Sequence, residues 1–145
     1  MDAEDHLADS AADAFGLDSL TEIAWHDAWL LEIYIDRTEP GHRDVVRLVV
    51  EWSDEQPRPS EPVTIVEFLE CYGLEMEMNF GVIAAEAIDR LWLEPAHPKL
   101  AKIAQDFGVD DVTCVCLRLG STDSTIRIFA RAVAMMPDTS FVTLH

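Results

Sequence analysis

From Ala28 onward, apolar and polar residues alternate with period two. Leu31, Ile33 and Ile35 face one way and Glu32, Tyr34 and Asp36 the other, as in a half-buried strand. Glu39-Pro40-Gly41-His42 supplies turn chemistry, and Val46, Leu48, Val50 and Trp52 then alternate with Val45, Arg47, Val49 and Glu51. The two runs predict an antiparallel hairpin in which Leu31, not Leu30, takes the apolar face. Pro57, Pro59 and Pro62 mark an exposed loop, and Val63–Tyr72 reads as a third strand with Val66, Phe68 and Tyr72 on one face. Leu74–Phe80 alternates again, as a fourth strand near a sheet edge.

Elsewhere the period is 3.6. Leu7, Ala11, Ala14 and Phe15 form a helical stripe that ends at Gly16, and Ser19 with Glu22 has capping-box spacing for a second short helix. Ile83, Ala84, Ala87, Ile88 and Leu91 form another stripe, ending before Pro95. Pro98 suits a first helical position, Leu100, Ile103, Ala104 and Phe107 share a face, and Gly108 stops the helix. Val112–Leu119 and Thr125–Met135 read as two closing strands joined by the turn-forming run Gly120–Ser124. The expected fold class is α+β, with about six mainly antiparallel strands, two central helices and an acidic N-terminal helix. Residues 1–145 are expected to form a single domain, with 1–24 as an acidic helical segment and 25–137 as the α+β body.

Charge changes the picture more than length does. The 145 residues include 28 Asp+Glu against 10 Lys+Arg, for a net charge of −18. Nucleic-acid binding needs clustered cations, so that class is excluded. The 49% hydrophobic content separates the chain from acidic disordered tails. The opening Met1-Asp2-Ala3-Glu4-Asp5 is acidic where a secretory signal is basic, and no apolar run reaches the roughly 20 residues of a membrane span. Cys71, Cys114 and Cys116 are odd in number and sit in apolar segments, as reduced thiols do. Together these features place the chain in the cytoplasm, with no membrane partner.

Candidate chemistry is sparse. Adjacent His26-Asp27 matches a metal-ligand pair of phosphohydrolases, yet His6, His42, His97 and His145 form no helical array to complete a site. The structural alternative has Asp27 capping a turn and His26 bonding backbone at the mouth of the first strand. Cys114 and Cys116 share a strand face but lack a second thiol pair, and read as core packing. Gly120–Ser124 has no following Lys, and neither Ser121 nor Ser124 lies in a G-x-S-x-G context, so a turn is expected there. Glu75 and Glu77 project from one side of a strand toward solvent. Trp25 and Trp29 bracket His26-Asp27, and tryptophan is enriched at binding hot spots.

The segment Trp25-His26-Asp27-Ala28, followed by an alternating strand that ends in Asp36-Arg37, resembles the opening of small bacterial proteins that confer immunity to polymorphic toxins. Asp44–Trp52, Met78-Asn79-Phe80-Gly81 and Ser121–Ile128 extend a likeness to small uncharacterised bacterial proteins over residues 25–135. The resemblance implies binding rather than catalysis, and no catalytic residues are carried over. The expected function is a non-enzymatic protein-binding module, an immunity protein that neutralises a basic toxin, steered by its negative charge. The expected partner-binding residues are Trp25, His26, Asp27, Trp29, Glu75, Glu77 and Asn79, with no metal and no cofactor. The rival readings are a small metal-dependent hydrolase using His26 and Asp27, and a homo-oligomer paired through the Leu74–Phe80 edge.

Overall fold

Alternating β-branched and polar positions build ladders across most of the chain. A computed structural model describes residues 13–39, 44–53, 62–81 and 86–138. The strands are β1 (Asp13–Phe15), β2 (Trp29–Asp36), β3 (Val45–Glu51), β4 (Val63–Leu69), β5 (Gly73–Glu77), β6 (Glu86–Leu93), β7 (Thr113–Leu119), β8 (Ser124–Ala130) and β9 (Ala132–Pro137). A 3-10 helix spans Leu17–Glu22, and one α-helix, α1, spans Pro98–Phe107. The nine strands form a sheet in the order β1-β9-β4-β3-β2-β6-β7-β8-β5, with every described ladder antiparallel.

The sheet folds over on itself. β2 meets β6 only through Trp29↔Ala87 and Leu30↔Glu86, so a short seam joins the two halves. On the other side two segments turn a corner together. β4 runs through Glu70, Cys71 and Tyr72 into β5, while β8 runs through Arg131 into β9. Thus β4 ladders with β9 in one half and β5 with β8 in the other, with Tyr72 N–H donating to the Phe129 carbonyl at 2.7 Å. Such corners let a strand change sheets. Glu70 takes φ 51° at this corner, and Arg131 pins it by pairing with Glu70 at 2.8 Å and Asp111 at 2.9 Å.

Between the halves lies one apolar core. Val46, Leu48, Val50, Val66, Phe68 and Val133 enter from one side, and Ile88, Val115, Leu117, Leu119, Ile126 and Ile128 from the other. Leu17 and Leu20 of the 3-10 helix, with Trp25, Ala28 and Trp52, close one end of it. Helix α1 covers the outer face of the β6-β7-β8-β5 half, setting Ile103 and Leu100 against Cys114, Cys116, Phe129 and Trp92. Its boundaries follow the chemistry read above. His97 Nδ1 accepts from the Lys99 amide at 3.1 Å, Pro98 opens the helix, and Gly108 ends it at φ 69°, a conformation that side chains with a Cβ rarely adopt.

The α+β expectation is therefore corrected: the described residues form a mostly antiparallel β structure with one short α-helix and one 3-10 turn. In place of a helix, the Ile83–Leu91 stripe becomes β6, with residues 82–85 outside the described set. A bulge explains the misreading. The ladder to β7 slips between Ile88 and Arg90, so inward-facing Ile88 and Leu91 stand three apart, the spacing a helix would give. The N-terminal helical stripe ends instead in strand β1, paired with β9, while Leu7 and Ala11 lie outside the described residues. The expected Thr125–Met135 strand is two strands, divided at the Arg131 corner. A second bulge, between Leu30 and Glu32, turns Leu30 and Ile33 onto the core, so Leu30 holds the place expected of Leu31. The Glu39–His42 turn and the proline loop fall largely outside the described residues. The β2–β3 hairpin ladder and the edge position of β5 stand as expected, whereas the third strand stops at Leu69 instead of Tyr72: past the Glu70 corner Cys71 packs on the core of Val66 and Phe68, and Tyr72 packs with Ile103 and Phe129.

Candidate functional site

The two tryptophans that bracket His26-Asp27 part company. Trp25 is only 4% exposed: its indole N–H donates to the Leu20 carbonyl at 2.8 Å, and its ring lies 4.9 Å from that of Trp52. It is a core residue and offers no surface to a partner, which corrects its place among the binding residues. Trp29 starts β2 and is 45% exposed. Register places it opposite Glu51 on the outer face of the β2-β3-β4-β9 half, and places Glu32, Tyr34 and Asp36 on that face too.

This face is the candidate site. The described residues set no helix on it, since α1 packs on the other half and the 3-10 helix enters the core. Val49 and Ala134 are buried within it, whereas Trp29, Glu32 and Tyr34 stand out to solvent. Tyr34 is 51% exposed and donates its hydroxyl to Glu32. That hydrogen bond raises the phenol's pKa, so the ring is held protonated in one orientation. Arg47 lies at the centre, donating Nε to Glu67 at 2.6 Å and Nη1 to Asp36 at 3.2 Å, so two carboxylates answer one guanidinium. Asp36 is held below the usual carboxylate range, first by the Thr38 amide and hydroxyl and then by Arg47.

Cations elsewhere are spent in the same way. Arg37 pairs with Asp44, Lys99 with Glu75, Lys102 with Asp106, Arg118 with Asp123 and Arg127 with Glu94. Arg90 lies over the Trp92 ring, 4.3 Å from its centroid. The surplus carboxylates are what the surface presents.

The remaining expected residues do not converge on this face. His26 is exposed at the β2–β6 seam, where its Nδ1–H donates to the Asp89 carbonyl at 3.0 Å. Its Nε2 lies 3.5 Å from Asp27 and its Nδ1 3.8 Å from the Asp89 carboxylate. The backbone bond to Asp89, followed by the Asp27 charge, raises its pKa. Asp27 takes φ 70° and its N–H donates to the Ile88 carbonyl, which fixes the turn into β2. Among the described residues, the one group of three His, Cys, Asp or Glu donors close enough to share a metal is elsewhere, so no third ligand joins His26 and Asp27.

Glu75 and Glu77 lie on β5, at the far edge of the other half, with Glu75 3.8 Å from both His97 Nε2 and Lys99 Nζ. Asn79 is committed internally: its amide N–H donates to Ser124 Oγ at 2.8 Å, and its side chain donates to the Thr122 and Asp123 carbonyls at 3.1 and 3.3 Å. Those bonds tie the end of β5 to the β7–β8 turn. Tyr34 was absent from the expected set, because alternation marks it only as a polar-side strand residue. The signal for it is an aromatic on the solvent side of a strand. Among the described residues, no helix is long and apolar enough to cross a membrane. Comparison with protein-family models, curated proteins and solved structures finds no match for this chain.

Proposed function

We propose that this chain is a non-enzymatic binding module that takes a basic protein on the outer face of β2, β3 and β4, as the resemblance to toxin-immunity proteins implies. The observation that carries the reading is the pairing of two half-exposed aromatics, Trp29 and Tyr34, with Glu32, Asp36 and Glu51 on one ladder. Trp and Tyr bury large areas at little entropic cost, and they dominate measured hot spots. They stand at most about 17 Å apart along one strand, well within a standard interface. The surrounding carboxylates favour a cationic partner and accelerate encounter, more so at low salt.

The rival readings draw less support. The His26-Asp27 corner lacks a third donor among the described residues. Self-pairing of β5 would bring Glu75 and Glu77 of one copy toward those of another, a repulsive arrangement that guards an edge.

The test is a pull-down from the native host at low and high salt, with Trp29→Ala/Tyr34→Ala alongside the parent chain. A basic protein retained by the parent, weakened by salt and lost from the double variant supports the reading. Each single substitution is expected to weaken binding by about 10- to 30-fold. Failure of the parent to retain any basic protein, or equal retention by the double variant, refutes it.

A further inference from the structure

The second sheet half carries a donor cluster that the proposed binding face does not use. Cys114 and Cys116 occupy one face of β7, where i and i+2 backbone positions stand about 6.7 Å apart. Their sulfurs nevertheless approach to 3.8 Å. The β6–β7 register delivers a third donor: the Glu94 amide bonds the Cys114 carbonyl, and a Glu94 carboxylate oxygen lies within 4.8 Å of both sulfurs.

We propose that Glu94, Cys114 and Cys116 form a binding site for a thiophilic divalent cation of zinc type. With zinc–sulfur bonds of about 2.3 Å, two corners of a tetrahedron are about 3.8 Å apart, the separation these sulfurs already have. A carboxylate corner would stand about 3.6 Å from each sulfur, so rotation of Glu94 by about an ångström at its oxygen completes the third corner. The fourth corner is left to water.

The surroundings are built for the same task. Arg127 donates Nε to Glu94 Oε1 at 3.0 Å and Nη2 to Oε2 at 3.4 Å, while Trp92 Nε1 donates to Oε2 at 3.2 Å. Oε1 accepts one of these bonds and keeps a lone pair for the ion, while Oε2 is held by two donors, so the ligand is oriented as outer-shell partners do in metal sites. Binding exchanges two thiol protons for one doubly charged ion, so the charge of this buried region, Arg127 included, is unchanged. Helix α1 shields the sulfurs from water, whereas Glu94 remains 29% exposed and gives an entry route.

The test uses the full reduced chain with Co2+ as a spectroscopic probe and Zn2+ as competitor. A sulfur-to-cobalt charge-transfer band should appear at one equivalent, with tetrahedral visible bands, and Zn2+ should abolish both. Glu94→Gln should weaken Co2+ binding at least 10-fold, and Cys71→Ser should leave the band intact. Because Cys114→Ser or Cys116→Ser could perturb packing, the unmodified chain is also read by native mass spectrometry, where one bound zinc should displace two protons. Zn2+ should also slow alkylation of Cys114 and Cys116, since their sulfurs are then coordinated and the folded state is stabilised. No charge-transfer band, or zinc bound without proton loss or thiol protection, overturns the proposal. The acidic-face reading is decided separately, by the Trp29/Tyr34 pull-down.

Discussion

Trp25 and Trp29 are four residues apart, and the fold assigns them opposite tasks, so their substitutions should separate sharply. Trp25→Ala removes a nearly fully buried indole that seals the core beside the 3-10 helix and packs on Trp52. A large aromatic lost from a core costs about 3–5 kcal/mol, cavity included. The Leu20 carbonyl also loses the donor that it holds at 2.8 Å, which adds about 1 kcal/mol. The expected total is about 4–6 kcal/mol, a large share of the 5–15 kcal/mol typical of a domain. Trp25→Phe keeps much of the ring contact but forfeits the hydrogen bond, and should cost about 1–3 kcal/mol. Trp29→Ala acts on a half-exposed side chain of the outer face and should cost no more than about 1 kcal/mol. Urea unfolding followed by far-UV circular dichroism measures all three without depending on the fluorophore being removed. A Trp25→Ala cost below about 1.5 kcal/mol, or a Trp29→Ala cost equal to it, would refute the assignment of Trp25 to the core and Trp29 to the surface.

Three further outcomes follow from the same geometry. Arg47→Ala strands Glu67, whose side chain is 16% exposed, and should destabilise by about 1–3 kcal/mol in urea, against about 0.5 kcal/mol or less for Arg37→Ala, whose guanidinium is 69% exposed. Ser124 is fully buried and its Oγ accepts from Asn79 N–H, so Ser124→Ala should cost about 1–2 kcal/mol and speed hydrogen exchange at the Asn79 amide; an unchanged exchange rate would exclude that anchor. The His26 midpoint, followed by NMR, should lie above the ordinary value of 6.5 and fall in Asp27→Asn. Because the folded pKa is the higher one, the stability His26 contributes is fully present below 6.5 and is lost as pH rises through the raised midpoint; a midpoint at or below 6.5 would sink this.

What alternation reveals is which side of a strand a residue faces, as long as the strand stays regular. It located the β2–β3 hairpin, and Pro98 with Gly108 bounded α1, because those signals are local. Bulges are where it broke down. One extra residue at Leu31 moved the core position from Leu31 to Leu30, and one at Asp89 gave β6 the three-residue apolar spacing of a helix. The Arg131 corner was hidden for another reason: β8 and β9 are both apolar and no Gly or Pro separates them, so the change of sheet leaves no break in the pattern. The candidate face had the same limit. Trp29 was visible as a tryptophan but not distinguishable from Trp25, because their separation depends on where the chain enters the seam between β2 and β6. The thiol pair makes the point from the other direction. Two cysteines at i and i+2 share a face on any strand, and that much is local. What turns the pair into a three-donor cluster is Glu94, some twenty residues earlier in the chain, and it arrives only because β6 and β7 pair in one register out of several. A one-residue slip of that ladder would send Glu94 to the opposite face, so the chemistry of this cluster is a property of strand pairing before it is a property of its residues.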